Sequence, residues 1–184
     1  MTAHRIGKYA CLEIECRYLL KTIPEDLLDN PPGWLITDRY FPNTRLRLRH
    51  MKSSTGKENI YKLTQKYRSE IQNAYETTVT NTYLTEAEYY YFESLEGKIL
   101  KKRRYPYRVK NHSFSIDVFE DRHQGLILAE IELESKLEAD KFVLPPFVFK
   151  DVTDDSFFTG GRLVAMTDEE FKQGLAQCLR NYKN

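Results

Sequence analysis

Polar and apolar residues alternate along CLEIECRYLL, which runs from Cys11 to Leu20. Glu13, Glu15 and Arg17 fall on one side of this alternation, and mostly apolar residues fall on the other. A period of two places successive side chains on opposite faces of a β-strand. The stretch therefore predicts a strand with one apolar face and one face that carries two carboxylates and a guanidinium.

Six further stretches have the alternation or the composition of a β-strand. They are TRLRLRH (44–50), IYKLTQKY (60–67), AYETTVTNTYL (74–84), ILKKRRY (99–105), SFSIDVFED (113–121) and LILAEIELES (126–135).

Helices are predicted between and after these strands. The stretches 85–95 and 167–182 each open with Thr followed three residues later by Glu, the spacing of a capping box. Shorter helices are predicted at 24–30 and 135–142. Strands outnumber helices and follow one another directly. This favours an α+β fold, an antiparallel sheet or barrel with helices packed outside it.

Length and composition narrow the class of protein. A chain of 184 residues lies within the range of one domain. Its net charge of +1 does not favour a nucleic acid or an acidic membrane surface as partner. No apolar stretch approaches the roughly 20 residues that span a bilayer, and the N-terminus lacks the apolar region of a secretory signal. The three cysteines form no CxxC pair, so free thiols in a reducing compartment are expected. We expect a cytoplasmic protein without a membrane partner.

Several of the predicted strands carry charges of one sign on one face. Arg45, Arg47 and Arg49 share a face of the 44–50 strand, and three glutamates share a face of the 126–135 strand. A single charged face is most simply the solvated side of an antiparallel strand. However, same-face neighbours lie about 6.6–6.8 Å apart, and like charges at that spacing repel. Repetition on several strands predicts compensating charges: strands of opposite sign, metal ions or a polyanionic ligand.

A closed barrel would bring these charged faces together. Interior and exterior residues alternate along barrel strands, so the charged faces would turn inward and the apolar faces outward. A row of Arg and Lys suits a chain of phosphates, and grouped carboxylates suit Mg²⁺ or Mn²⁺. The pattern therefore predicts that a metal and a polyphosphate bind inside a barrel.

EIECR, Glu13–Arg17, resembles the ExExK signature of the CYTH superfamily, the triphosphate tunnel metalloenzymes. The segments LTQK, KRRY, IDVFE, GLILAEIEL and PPFVFKDVTDDSFF resemble further family motifs in the family's order. The resemblance implies one domain over 1–184, an eight-stranded antiparallel tunnel with its core at about 10–164 and a C-terminal helix at about 167–181. It also implies hydrolysis of a triphosphate with Mg²⁺ or Mn²⁺.

The resemblance assigns roles to residues at the matching positions. The expected metal ligands are Glu13, Glu15, Glu130 and Glu132, and the expected supports of that acidic wall are Glu76 and Asp117. The expected phosphate-binding residues are Arg17, Arg45, Arg47, Lys66, Lys102 and Arg104. Tyr40 and Arg17 are candidates for a catalytic role. Arg49 and Lys62 share the charged faces but have no clear motif counterpart.

The chain departs from the family pattern at four positions. Arg17 stands where the motif has lysine, and an arginine does not readily give up a proton. Asp151 replaces a glutamate, while Phe158 and Gly160 replace Tyr and Asn in a segment expected near the tunnel mouth. The Arg17 difference bears on an acid role in catalysis, the Asp151 difference is interpreted as structural, and the other two bear on the shape of the tunnel mouth.

Three functions stay open at this level. The favoured function is hydrolysis of inorganic tripolyphosphate. The second is hydrolysis of an organic triphosphate, either thiamine triphosphate or a nucleotide, and the third is non-catalytic binding of polyphosphate or nucleotide. The pattern also leaves open whether the chain forms a homodimer.

Overall fold

The computed structural model describes residues 4–5, 10–27, 32–67 and 76–180 of the chain. Within these residues the strands are β1 (His4–Arg5), β2 (Ala10–Leu19), β3 (Trp34–Tyr40), β4 (Leu46–Ser53), β5 (Asn59–Tyr67), β6 (Glu76–Leu84), β7 (Lys98–Val109), β8 (His112–Phe119), β9 (Ile127–Leu133) and β10 (Lys150–Asp151). Eight of them close into an antiparallel barrel in the order β2-β6-β5-β4-β3-β7-β8-β9, and β9 pairs back with β2. The short strands β1 and β10 add to β2. The predicted α+β barrel is confirmed.

Four α-helices lie within the described residues. They are α1 (Glu86–Glu93), α2 (Lys136–Asp140), α3 (Gly160–Ala165) and α4 (Asp168–Arg180). Both predicted capping boxes form, because Thr85 and Thr167 exchange hydrogen bonds with Glu88 and Glu170. The predicted helix at 24–30 is a single 3₁₀ turn over Glu25–Leu27, and residues 28–30 and 181–182 lie outside the described ranges. None of the helices within these ranges combines the length and apolar character needed to cross a bilayer.

The apolar faces of β2, β8 and β9 point outward, as the alternation predicts. Ile14, Tyr18 and Ile131 are buried there. Side chains from α2 and the chain after it, including Phe142 and Phe147, pack over them. Because this cover buries the outer face, the charged residues that alternate with it must point into the barrel.

A second apolar core fills one side of the barrel interior. Leu100, Phe119 and Leu128 alternate in phase with charged inward residues, yet they are buried with Leu163 of α3 and Phe171 of α4. The C-terminal helices therefore do more than cover the outside, since their side chains complete an apolar floor beneath the charged part of the barrel.

The alternation did not predict strand β3 as a separate element. Its sequence, WLITDRY, places Ile36, Asp38 and Tyr40 on the inward face. This face mixes apolar, acidic and aromatic residues, so it lacks the contrast between faces that identified the other strands. Strand β3 nevertheless completes the barrel between β4 and β7.

Candidate active site

A cavity of about 640 Å³ occupies the barrel interior. Its charged lining consists of Glu13, Glu15, Arg17, Arg45, Arg47, Arg49, Lys62, Lys66, Lys102, Arg104, Glu130 and Glu132. The apolar floor supplies Leu100, Phe119, Leu128 and Phe158 to the same cavity. The exposed lining residues Arg45, Tyr67 and Glu132 lie where the cavity meets solvent.

Two of the predicted metal ligands are bridged by Arg17. Its Nη2 lies 2.7 Å from Glu15 Oε1, and its Nε lies 3.3 Å from Glu130 Oε1. Burial would lower the pKa of Arg17, but the charges of these two carboxylates raise it well above its ordinary value. Arg17 thus keeps its positive charge, and this makes it unsuited to act as a general acid.

The backbone of Arg17 is fixed by Thr153, which follows strand β10. Its N–H donates to Thr153 Oγ1 at 3.0 Å, and the Thr153 hydroxyl is 3.3 Å from the Arg17 carbonyl oxygen. Asp151, which replaces the family glutamate, accepts a 2.9 Å hydrogen bond from the Thr153 N–H. The aspartate therefore stabilises the turn that holds Arg17.

Asp117 lies behind two of the predicted phosphate-binding residues. It is fully buried; its Oδ1 accepts from Arg104 Nε at 2.6 Å, and its Oδ2 accepts from Lys102. Arg104 also contacts Glu130. Burial alone would raise the pKa of Glu130, but Lys102, Arg104 and other cations hold it well below its ordinary value. Asp117 thus orients the cations and does not join the other carboxylates.

Glu76 and Asp117 are the two predicted site residues that do not line the cavity, and Glu76 points away from it. It pairs with Ile14, whose side chain belongs to the outer core. Directly opposed residues of an antiparallel pair share a face, and Thr77, the next residue, lines the cavity. The expected support of the acidic wall by Glu76 is therefore wrong, because the alternation turns its side chain outward.

The opposite wall, on β3, β4 and β5, is basic. Arg49 makes two hydrogen bonds to Asp38, of 2.6 and 2.7 Å, and both residues are buried. Arg47 Nε lies 3.7 Å from Asp38 Oδ1, and it is a buried donor with no hydrogen-bond partner among the described residues. Burial would raise the pKa of Asp38, but the two arginines hold it well below its ordinary value.

Asp38 is a site residue that the sequence reasoning missed. Three arginines on one strand face favour a nearby acid as one form of compensation, and Asp38 shares the inward phase of WLITDRY with Ile36 and Tyr40. These two signals together could have identified it.

Two basic residues of this wall have no ion pair with a described carboxylate. Lys62 lies opposite Arg49 in the β4–β5 register, and its ammonium is 6.0 Å from the Tyr83 ring centroid. Burial, together with Arg49 and other cations, lowers the pKa of Lys62 to about 8. Arg45 is exposed, and its guanidinium carbon lies 4.9 Å from the Tyr67 ring centroid. The basic wall therefore carries positive charge available to an anion.

Negative charge remains on the wall formed by β2 and β9, which carries Glu13, Glu15 and Glu132. Lys66 Nζ lies 3.1 Å from Glu13 Oε2 and 3.7 Å from Glu15 Oε2. Glu132 is paired with Glu15 across the β2–β9 ladder. Partial burial and the charges of Glu13 and Glu15 raise the pKa of Glu132. A cation here would relieve this repulsion.

The carboxylates fit a hard divalent cation in their chemistry. No three acidic, histidine or cysteine side chains in the described part of the chain are grouped closely enough to hold an ion as they stand, so a bound ion would have to draw carboxylates together. Arg17 and Arg104 engage Glu130, and Arg17 also engages Glu15. The carboxylates therefore suit a divalent metal ion in their chemistry, but Arg17 and Arg104 already pair with some of their oxygens.

Tyr40 stands where the basic wall meets the floor. Burial raises its pKa, and the charge of Asp38 adds to the shift. A Cβ on Gly160 would lie 1.9 Å from the Tyr40 hydroxyl oxygen, so the missing side chain makes room for the phenol. Phe158, the other departure in this segment, is buried in the floor. Both substitutions thus shape the inner part of the cavity.

No family model matches the chain. An inorganic triphosphatase from Nitrosomonas europaea is 30% identical over 152 residues, which cover 78% of this chain and 90% of that protein. An inorganic triphosphatase from Acetivibrio thermocellus is 30% identical over 78 residues, which cover 42% of this chain and 49%, about half, of that protein. In fold, the chain is similar to the crystal structure of the inorganic triphosphatase NE1496, with a TM-score of 0.56 and 23% identity, over 84% of this chain and 95% of that one.

Proposed function

Because the chain belongs to the CYTH superfamily of triphosphate tunnel metalloenzymes, we propose that it hydrolyses inorganic tripolyphosphate with the help of Mg²⁺ or Mn²⁺. Its curated relatives are inorganic triphosphatases, and the chain is accordingly a triphosphatase. Beyond triphosphatase activity, we propose that the substrate is tripolyphosphate and that the reaction needs a divalent metal ion.

One observation supports this choice of substrate above the others. The cavity places Arg45, Lys62 and the Arg47 Nε that lacks a hydrogen bond on one wall, and the directly opposed carboxylates of Glu15 and Glu132 on the facing wall. A linear polyanion that carries a divalent cation has both kinds of charge. Guanidinium groups bind phosphate oxygens through paired N–H donors, so the basic wall suits the phosphates and the acidic wall suits the cation.

The chain's own residues would bind and orient the substrate. Arg47 can satisfy its orphaned Nε with a phosphate oxygen, and Lys62 and Arg45 can contact neighbouring phosphates. Fixed positive charge around the phosphoryl group stabilises the charge that spreads over its oxygens in the transition state.

Hydrolysis forms a bond from a water oxygen to the terminal phosphorus and breaks the bond from that phosphorus to the bridging oxygen. Diphosphate leaves with the bonding electron pair, and the attacking water loses a proton. The cavity is open to solvent beside the exposed Glu132, so this proton can pass to bulk water. The residues that would hold the metal are Glu13, Glu132 and Glu15, through the oxygen of Glu15 that lies 3.7 Å from Lys66 Nζ and is not paired with Arg17. When bound, Mg²⁺ or Mn²⁺ supplies Lewis-acid neutralisation of phosphate charge.

The deciding experiment measures phosphate release from tripolyphosphate, ATP, thiamine triphosphate and pyrophosphate, each with Mg²⁺, with Mn²⁺ and with chelator. We expect kcat/KM for tripolyphosphate to exceed that for ATP at least tenfold, a transition-state preference of about 1.4 kcal/mol. Equal or faster turnover of ATP would show that the substrate is organic. Tight binding of tripolyphosphate without turnover of any compound would support a non-catalytic sensor.

A specific feature favours an organic triphosphate as the second candidate. Tyr67 is 47% exposed at the cavity opening, and Arg45 lies over its ring. Such a ring can stack on the base or heterocycle of an organic substrate. Tyr67→Ala should then slow hydrolysis of ATP or thiamine triphosphate while leaving tripolyphosphate hydrolysis unchanged.

A further inference from the structure

Arg17 lies in the β2–β9 ladder beside a pair of like charges. In this register Arg17 is opposite Glu130, and Glu15 is opposite Glu132. Opposed side chains have Cβ atoms about 4.5–5.5 Å apart, so each pair interacts directly. One rung therefore contains opposite charges and the next contains two carboxylates.

The guanidinium of Arg17 engages both rungs at once. Different nitrogens of its planar group contact Glu15 at 2.7 Å and Glu130 at 3.3 Å. Arg104 contacts the second oxygen of Glu130. Hydrogen-bonded ion pairs thus use both oxygens of Glu130 and one oxygen of Glu15, and none of these three positions is free for a metal ion.

The remaining donors lie on the other side of Arg17. Glu132 has no ion pair with a described residue. Glu13 and the second oxygen of Glu15 have only the contacts of Lys66, at 3.1 and 3.7 Å, and the Lys66 side chain is 38% exposed. An exposed lysine can turn toward solvent or toward a phosphate. Glu13, Glu132 and the second oxygen of Glu15 are therefore the carboxylate oxygens that a cation can reach.

We infer that Arg17 takes the place of one divalent cation, so that the cavity binds a single Mg²⁺ or Mn²⁺ on the Glu13–Glu132 side and Glu130 is not a ligand. The inference rests on the proposed function. It differs from the set of four metal ligands that the resemblance implies, and it gives a reason for arginine where the motif has lysine. The guanidinium places a separate nitrogen on each of the two carboxylates, whereas a lysine has only one nitrogen to share between them.

The first test counts Mn²⁺ bound to the full chain, with Mn²⁺ alone as the probe and the free ion measured by electron paramagnetic resonance. The wild type should bind one Mn²⁺ per chain, and Arg17→Met should bind two, because Glu15 and Glu130 become available. Arg103→Met is the matched control, since Arg103 pairs with Glu120 and is exposed. Two ions in the wild type, none in the wild type, or one in a folded Arg17→Met variant would overturn the inference.

A second pair of variants keeps the test decisive if Arg17→Met does not fold. Glu132→Gln should weaken the single Mn²⁺ site at least tenfold, whereas Glu130→Gln on the same strand should change its Kd less than threefold. Equal losses in the two variants would make Glu130 a ligand and refute the inference.

The two hypotheses fail separately in these measurements. Turnover of tripolyphosphate with two bound ions would leave the proposed function standing and reject the single site. One bound ion that depends on Glu132, without turnover of any triphosphate, would support the single metal site and reject the proposed function.

Discussion

At the scale of single residues, Arg47 is the clearest candidate for phosphate binding, because its buried Nε has no hydrogen-bond partner among the described residues. An unmade buried hydrogen bond is costly, and an anion would satisfy it. Hydrogen bonds to charged groups contribute about 1.5–3 kcal/mol. We therefore expect Arg47→Ala to weaken tripolyphosphate binding by roughly ten- to a hundredfold, measured by calorimetry.

The matched control for this variant is Arg103→Ala, on the outer face of β7 and paired with Glu120 at 2.6 Å. It removes the same charge without touching the cavity. Comparable losses in both variants would mean that general attraction, and not contact with the substrate, explains the effect of Arg47.

Lys62 gives a prediction about pH. Its pKa of about 8 means that the side chain loses its charge as the pH rises through that value. Protonated Lys62 attracts the substrate, so tripolyphosphate should bind less tightly above pH 8. Loss of one charge-assisted contact should weaken binding by about tenfold between pH 7 and pH 9.5.

Lys62→Arg separates this effect from ionisation of the ligand itself, because an arginine stays charged throughout. Kd values measured by calorimetry across this range should change less in the arginine variant than in the wild type. Identical pH profiles would show that Lys62 does not contact the substrate.

At the scale of elements, the alternation of charged and apolar residues predicted most of the barrel strands. It identified Arg49 and Lys62 as inward-facing without any motif, and both line the cavity. It failed for β3, where a buried aspartate shares a face with Ile36 and Tyr40. When a buried acid shares a strand face with apolar residues, the strand shows no clear alternation of polar and apolar positions. The ion-pair partner of Asp38, Arg49, lies on the neighbouring strand.

The start of α3 gives a prediction with an internal control. Gly160→Ala would place a Cβ 1.9 Å from the Tyr40 hydroxyl oxygen, whereas a Cβ on Gly161 would meet nothing within 4 Å. Both glycines lie in the first turn of α3, so the gain in helix propensity from either alanine is well below the roughly 1 kcal/mol of a helix interior. Gly161→Ala should therefore keep activity and stability, and Gly160→Ala should displace Tyr40 and lower turnover at least tenfold. Thermal unfolding and steady-state kinetics on both variants measure this, and equal activity would exclude a role for the position of Tyr40.

At the scale of the whole molecule, the charged cavity and the apolar floor depend on each other. Leu100 precedes Lys102 on β7, and Leu128 precedes Glu130 on β9, in the same inward phase. The strand pattern alone could not show where the interior changes from charged to apolar. That boundary is set by side chains such as Phe171, which come from a helix about forty residues later in the chain than β9.

The same organisation predicts how the fold responds to its ligand. Arg45, Lys62 and Arg47 repel one another without a bound anion, so the empty cavity costs folding free energy that tripolyphosphate should recover. A ligand at a hundred times its Kd stabilises the native state by about 2.7 kcal/mol, which corresponds to a rise in Tm of roughly 5–11 °C for a chain of this size. Scanning calorimetry with tripolyphosphate should show this shift in the wild type.

Arg47→Ala should lose most of this rise in Tm at the same ligand concentration, and Arg103→Ala should retain it. Sulfate at equal ionic strength serves as the second control, because it screens the same charges but cannot span the basic wall. A rise in Tm equal to that with sulfate would mean that the cavity responds to ionic strength alone, and it would remove the basis for a bound triphosphate.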